Sequence, residues 1–87
     1  MMRYWFEFDF TNYDKVPSGL LMGCGVTGYG YEDVINILKE KVFINKSLPE
    51  IKKVAENIDL QELDQNHVLP NINSPNQRGV WFPLGYN

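Results

Sequence analysis

The chain has one cysteine, Cys24, and one histidine, His67, among its 87 residues. A lone thiol cannot close an internal disulfide, and small secreted domains commonly depend on several, so a reducing compartment is expected. One histidine with scattered carboxylates falls short of the Cys and His sets that hold structural zinc. A basic surplus is missing too, since 8 Lys and Arg face 11 Asp and Glu and leave a formal charge of -3. Nucleic-acid binding rests on surplus cations that neutralise phosphates, so no such partner is expected. No apolar run approaches the ~20 residues that a bilayer-spanning helix needs. Met1 to Phe10 carries one basic residue and then acids in an alternating pattern, unlike the charged, apolar and small-residue regions of a secretory signal. These absences predict a soluble, cytoplasmic chain with no membrane association and no cofactor.

What is present is apolar and aromatic. With 44% hydrophobic and 14% aromatic residues, the chain can close a core, although one this short buries only about 60–65% of its unfolded surface. Disorder would need lower hydrophobicity and a larger net charge. A single domain over residues 1–87 is expected.

Arg3 to Phe10 alternates, with Tyr4, Phe6, Phe8 and Phe10 on one face and Arg3, Trp5, Glu7 and Asp9 on the other. A period of two predicts a strand with one buried face. Asn12, Asp14, Pro17, Ser18 and Gly19 mark a connection. A second strand is predicted from Leu20 to Thr27, with Leu20, Met22, Cys24 and Val26 inward and the glycines Gly23 and Gly25 opposite. From Tyr31 the spacing turns helical through Val34, Ile35, Leu38 and Val42. Glu32 and Asp33 at its start and Lys39 and Lys41 at its end complement the helix dipole. Ser47-Leu48-Pro49-Glu50 reads as a capping box, and Ile51, Val54, Ala55 and Ile58 as the stripe of a second helix. Asp59 can cap one further turn ending near Leu63. A polar loop follows to Gln77, and Arg78 to Phe82 is the last strand, with Val80 and Phe82 on one face. The expected fold is α+β: a small three-stranded, mainly antiparallel sheet with two helices on one face, in the order β-β-α-α-β.

The motifs that could carry chemistry are few. Gly23-Cys24-Gly25-Val26-Thr27-Gly28 matches the dinucleotide fingerprint G-x-G-x-x-G. Cys24 and Val26, however, continue the strand's alternation, and no second strand ends in an acid about 20 residues on. A glycine-faced strand is the reading adopted. Cys24 with His67 has the residue types of a nucleophilic pair, but Cys24 falls on the apolar face, where a free cysteine is usually a small buried hydrophobe. Asp64 near His67 reads as turn capping. Five of the 8 basic residues, Lys39, Lys41, Lys46, Lys52 and Lys53, lie between the end of one helix and the middle of the next; they read as a solvated face.

Gly23-Cys24-Gly25-Val26-Thr27, His67-Val68-Leu69-Pro70-Asn71 and Arg78-Gly79-Val80-Trp81-Phe82-Pro83 together resemble a family of small uncharacterised bacterial proteins of about this length. The resemblance spans nearly the whole chain and implies no activity and no site residues.

Trp5, Glu7 and Asp9 share the face of the first strand opposite the aromatics, where a large aromatic flanked by charges can anchor a protein partner, unless a loop or Trp81 of the last strand covers it. The expected function is therefore a non-enzymatic protein-interaction module of inhibitor, immunity or adaptor type. The alternative is a small-molecule binder or minor enzyme built on the loop and last strand from His67 through Asn71, Asn76 and Arg78, with Trp81 as a stacking wall.

Overall fold

A computed structural model describes residues 1–86. Among these residues are four strands and one α-helix: β1 Met2–Asp9, β2 Cys24–Gly28, α1 Tyr31–Lys41, β3 Glu50–Glu56 and β4 Gly79–Phe82. Short 3-10 turns occupy Leu20–Met22, Leu60–Glu62 and Leu69–Asn71. The strand order is β3-β1-β2-β4, and every neighbouring pair is antiparallel. The expected sheet of three strands with two helices is thus corrected to four strands and one helix.

The change comes from residues 47–58. In place of a second helix, β3 adds to the open edge of β1. Ile51 and Val54 stand three residues apart, a helical interval that a regular strand would place on opposite faces. A bulge resolves the conflict: Glu7 pairs with Lys53 and Phe8 with Ile51, leaving Lys52 as the extra residue. Ile51 opposite Phe8 and Val54 opposite Phe6 then sit on the same face as two aromatic–β-branched pairs. Such pairs contribute about 0.2–1 kcal/mol each. The backbone groups along the edge of β1 also gain partners, which a helix packed over the face would not have provided. β3 is itself an edge, and two lysines together with the bulge make it a poor template for further pairing.

β2 is shorter than expected. Leu20 to Met22 turns instead of extending, and Gly23, at φ 123°, leads into the strand. Leu20 is still buried, but Met22 is not. A second bulge lies in β4, where Val26 pairs with Val80 and Gly25 with Phe82, leaving Trp81 extra. Val80 therefore joins the helix-side core while Trp81 and Phe82 turn to the other side. The expectation that Val80 and Phe82 share a face fails for this reason.

α1 begins where the helical period begins, with Glu32 and Asp33 in its first turn and Lys39 and Lys41 in its last. It buries Val34, Ile37 and Leu38 against the side of the sheet that carries Tyr4, Phe6, Phe8, Cys24, Val26 and Val80. Phe43, just beyond the helix, meets Phe8 edge-on at 5.3 Å and completes this layer.

The opposite face is covered as well. β3 and β4 are the two outer strands, so the connection from 57 to 78 has to cross the whole sheet. It does so as a strap on the Trp5 face, burying Ile58, Leu63 and Val68 against Trp5, Trp81 and Phe82. The Ile58 N–H donates to the Arg3 carbonyl at 3.3 Å and the Asn73 N–H to the Trp81 carbonyl at 2.9 Å. The Thr27 hydroxyl donates to the Pro75 carbonyl at 2.6 Å. Asp59 caps the Leu60–Glu62 turn by accepting the Gln61 N–H at 3.0 Å, the turn expected there.

The glycines of β2 make this second layer fit. A Cβ on Gly25 would lie inside van der Waals contact of the Trp81 ring, whereas one on Gly30 would meet nothing within 4 Å. Gly25→Ala is therefore expected to destabilise by about 1–3 kcal/mol, the range of overpacked cores. Gly30→Ala, at an extended backbone position, should stay near the wild-type stability. Chemical denaturation of the two variants checks this, and equal midpoints would contradict the ring-on-glycine packing.

Candidate functional site

Trp5, the expected anchor of an open face, is only 5% accessible; the covering by a loop and Trp81 that was its alternative is what occurs. Its ring lies over Gly23, and its centroid is 6.0 Å from that of Trp81 and 5.7 Å from that of Phe82. The idea of an open sheet face with a bare tryptophan anchor is thus corrected. Trp81 is 1% accessible, and its buried indole N–H has no hydrogen-bond partner among the described residues. The Trp5 indole N–H is satisfied, donating to Glu7 Oε2 at 3.2 Å.

That bond leads to an opening. Between β1, β3 and the first half of the strap runs a groove of about 550 Å³. Trp5, Ala55, Ile58, Leu63 and Val68 provide its apolar surface, and Met22 lines it as well. Among the described residues, Glu7, Glu62 and Asp64 are the acids that line it, and Lys53 is the base. Glu7 and Lys53 are cross-strand partners in the β1–β3 register. Asp64 Oδ1 accepts the backbone N–H groups of Asn66 and His67, each at 2.8 Å. Those bonds, from His67 first and then Asn66, hold its carboxyl below the usual range and keep it anionic.

The remaining candidates lie elsewhere. Asp9 caps the end of β1, accepting the Thr11 N–H at 2.8 Å, and its hydrogen bonds with Thr11 lower its pKa. The side chain of His67 is 68% accessible and stands 3.4 Å from Asp64 Oδ1. Arg78 forms a two-pronged ion pair with Asp33, at 3.0 Å through Nε and 2.6 Å through Nη2, and its guanidinium sits over the Tyr29 ring. This clasp joins the end of the strap to the first turn of α1. Asn71 donates its side-chain amide to the His67 carbonyl, and Asn76 lines a separate cleft with Arg3 and Thr27.

The structure therefore brings Trp5, Glu7 and Trp81 together and sets Asp9, His67 and Arg78 apart. Glu62, Asp64, Lys53 and Met22 complete the groove without having been expected there. Lys53 and Met22 were hidden by the helix and strand assignments, whereas Asp64 was legible only as a turn cap. Cys24 is fully buried in the helix-side core, and burial pushes its thiol far above the usual range. His67 belongs to the strap on the other side of the sheet, so the two do not form a nucleophilic pair. Among the described residues, no three His, Cys, Asp or Glu side chains are grouped so as to hold a metal ion, and no helix is long and apolar enough to cross a membrane.

Comparison with known proteins gives no matching family model, no similar curated protein and no similar solved structure. Kinship with small bacterial proteins is neither supported nor opposed by that outcome.

Burial of Trp5, Trp81 and Cys24 makes a joint prediction. Native protein should emit at short wavelength, resist quenching by iodide and leave Cys24 unmodified by a thiol reagent at neutral pH, because the thiolate is the reacting form. Rapid Cys24 labelling without denaturant would contradict the packing.

The clasp makes a second one. Asp33 has its pKa lowered first by the Arg78 hydrogen bonds and next by the Tyr29 N–H. A depressed carboxyl contributes stability that is present above its unfolded pKa of about 4 and is lost as pH falls through the lower folded value. Asp33→Asn should therefore lose less stability than wild type on acidification below about pH 4. Part of the acid dependence should remain, because Asp9 and Asp64 are lowered in the same direction. Thermal unfolding as a function of pH measures the difference, and superimposable acid limbs would refute the linkage.

Proposed function

We propose that the chain is a non-enzymatic protein-interaction module, of inhibitor, immunity or adaptor type, and that its contact surface is the groove between the sheet and the strap. The groove is the observation that carries this reading. The groove, about 550 Å³ in volume, joins a patch of apolar side chains to a few flanking charges, the arrangement of an apolar interface centre with a polar rim. An apolar lip adjoins it: Leu21 is 80% and Met22 44% accessible. Tyr86 donates its hydroxyl to the Ser18 carbonyl at 2.7 Å, which brings the tail with exposed Leu84 to the turn preceding them. Apolar side chains gathered beside a groove mark interaction surfaces more often than isolated ones do.

The groups that chemistry would require support the same reading by their dispersal. Cys24 is buried, Arg78 is engaged by Asp33, and His67 stands in solvent on the strap. A smaller cleft of about 280 Å³ beside α1 contains Arg78 but neither His67 nor Trp81. The alternative site from 67 to 81 therefore lacks convergence.

The test is capture from a lysate of the source organism with three tagged baits. Wild type and Tyr29→Ala, altered at an exposed side chain outside the groove, should retain the same protein. Ala55→Leu, which fills the groove from β3, should reduce retention by about tenfold or more, as changes at binding centres do. Circular dichroism and denaturation establish that Ala55→Leu is folded. A partner retained equally by all three baits, or none retained by wild type, would overturn the assignment.

A further inference from the structure

We infer that the groove takes a basic segment of the partner, a lysine or arginine side chain lying along the apolar surface with its charged head among Glu7, Glu62 and Asp64. The inference rests on the groove being the contact surface and adds the chemistry of what fills it. Charge is the first argument. Of the charged side chains lining the groove, three are acids and one is the base Lys53. Asp64 is held anionic by two backbone N–H groups. Glu7 is steadied by the Trp5 indole N–H, a bond that leaves most of the carboxylate's acceptor capacity unused.

Shape is the second argument. The acids come from β1 and from either side of Leu63 on the strap, and among the described residues they are not grouped for a metal ion. Carboxylates spaced around an apolar surface suit a long side chain with an apolar stem and a charged end. Lys and Arg bury their methylenes while the head stays at a polar edge. An acidic segment would meet three like charges, and a wholly apolar one would strip water from them without a counter-charge.

NMR with uniformly ¹⁵N-labelled full-length protein tests this. Three capped peptides of equal length serve as probes, alternating leucine with lysine, with glutamate or with serine. The lysine peptide should shift the Trp5 indole N–H and the backbone N–H groups of Ala55, Leu63 and Asp64, and its affinity should fall as salt rises. Glu62→Gln should weaken it about two- to fivefold, the range of one exposed charge pair. Glu40→Gln, on α1 outside this groove, should leave it unchanged.

Equal shifts from the serine or glutamate peptide would overturn the inference. So would lysine-peptide shifts spread over Glu32 and Glu40, which would mark general attraction to an acidic chain, or the absence of any shift. The two proposals fail separately. A captured partner that depends on the groove but binds through a neutral or acidic segment would refute this inference and keep the interaction module, whereas a partner indifferent to the groove would refute both.

Discussion

Two indole rings laid on two glycines organise one side of this molecule. Gly23, just before β2, and Gly25 within it leave that face without side chains, and the rings of Trp5 and Trp81 occupy the space. Each ring brings a large apolar area into the second layer, where Phe82, Ile58, Leu63 and Val68 close around it. Without the glycines the rings could not approach the sheet. Without the rings the strap would have little to pack against. The pattern that matches a phosphate-binding loop letter for letter is thus a packing device.

The strap follows from topology. A sheet ordered β3-β1-β2-β4 places the third and fourth strands at opposite edges, so the chain between them must cross one face. α1 occupies one side, and the crossing takes the other. Backbone bonds at Ile58 and Asn73, the Thr27 hydroxyl and the Arg78–Asp33 clasp fix the strap along its course. The groove is what remains where the strap passes β1 and β3 without filling the space above Ala55. Charges from the strap and from both strands meet there, and this is why it offers a partner more than an apolar gap.

Cys24, His67, Arg78 and Asp9 illustrate how residues suited to chemistry are used structurally. Cys24 fills the helix-side core, Arg78 ties strap to helix, and Asp9 and Asp64 cap turns. Of the interaction candidates Trp5, Glu7, Asp9, His67, Arg78 and Trp81, only Trp5 and Glu7, joined to each other by a hydrogen bond, line the groove.

Local pattern determined β1, α1, the Asp59-capped turn and the burial of Cys24, because each depends on neighbours within a few positions and on one uninterrupted period. Tertiary structure decided the rest, for reasons that a period cannot contain. One bulged residue, Lys52, makes a strand's apolar residues fall at a helical interval, and one bulged residue, Trp81, sends Val80 and Phe82 to opposite sides. A bulge is defined by the partner strand it faces, so neither is visible in a chain read alone. The open edge of β1 turned an amphipathic stripe into β3, and the strand order sent a polar loop across the tryptophans. The groove inherits both effects: Lys53 reaches it only as part of a strand, and Glu62 and Asp64 only because the strap must cross that face.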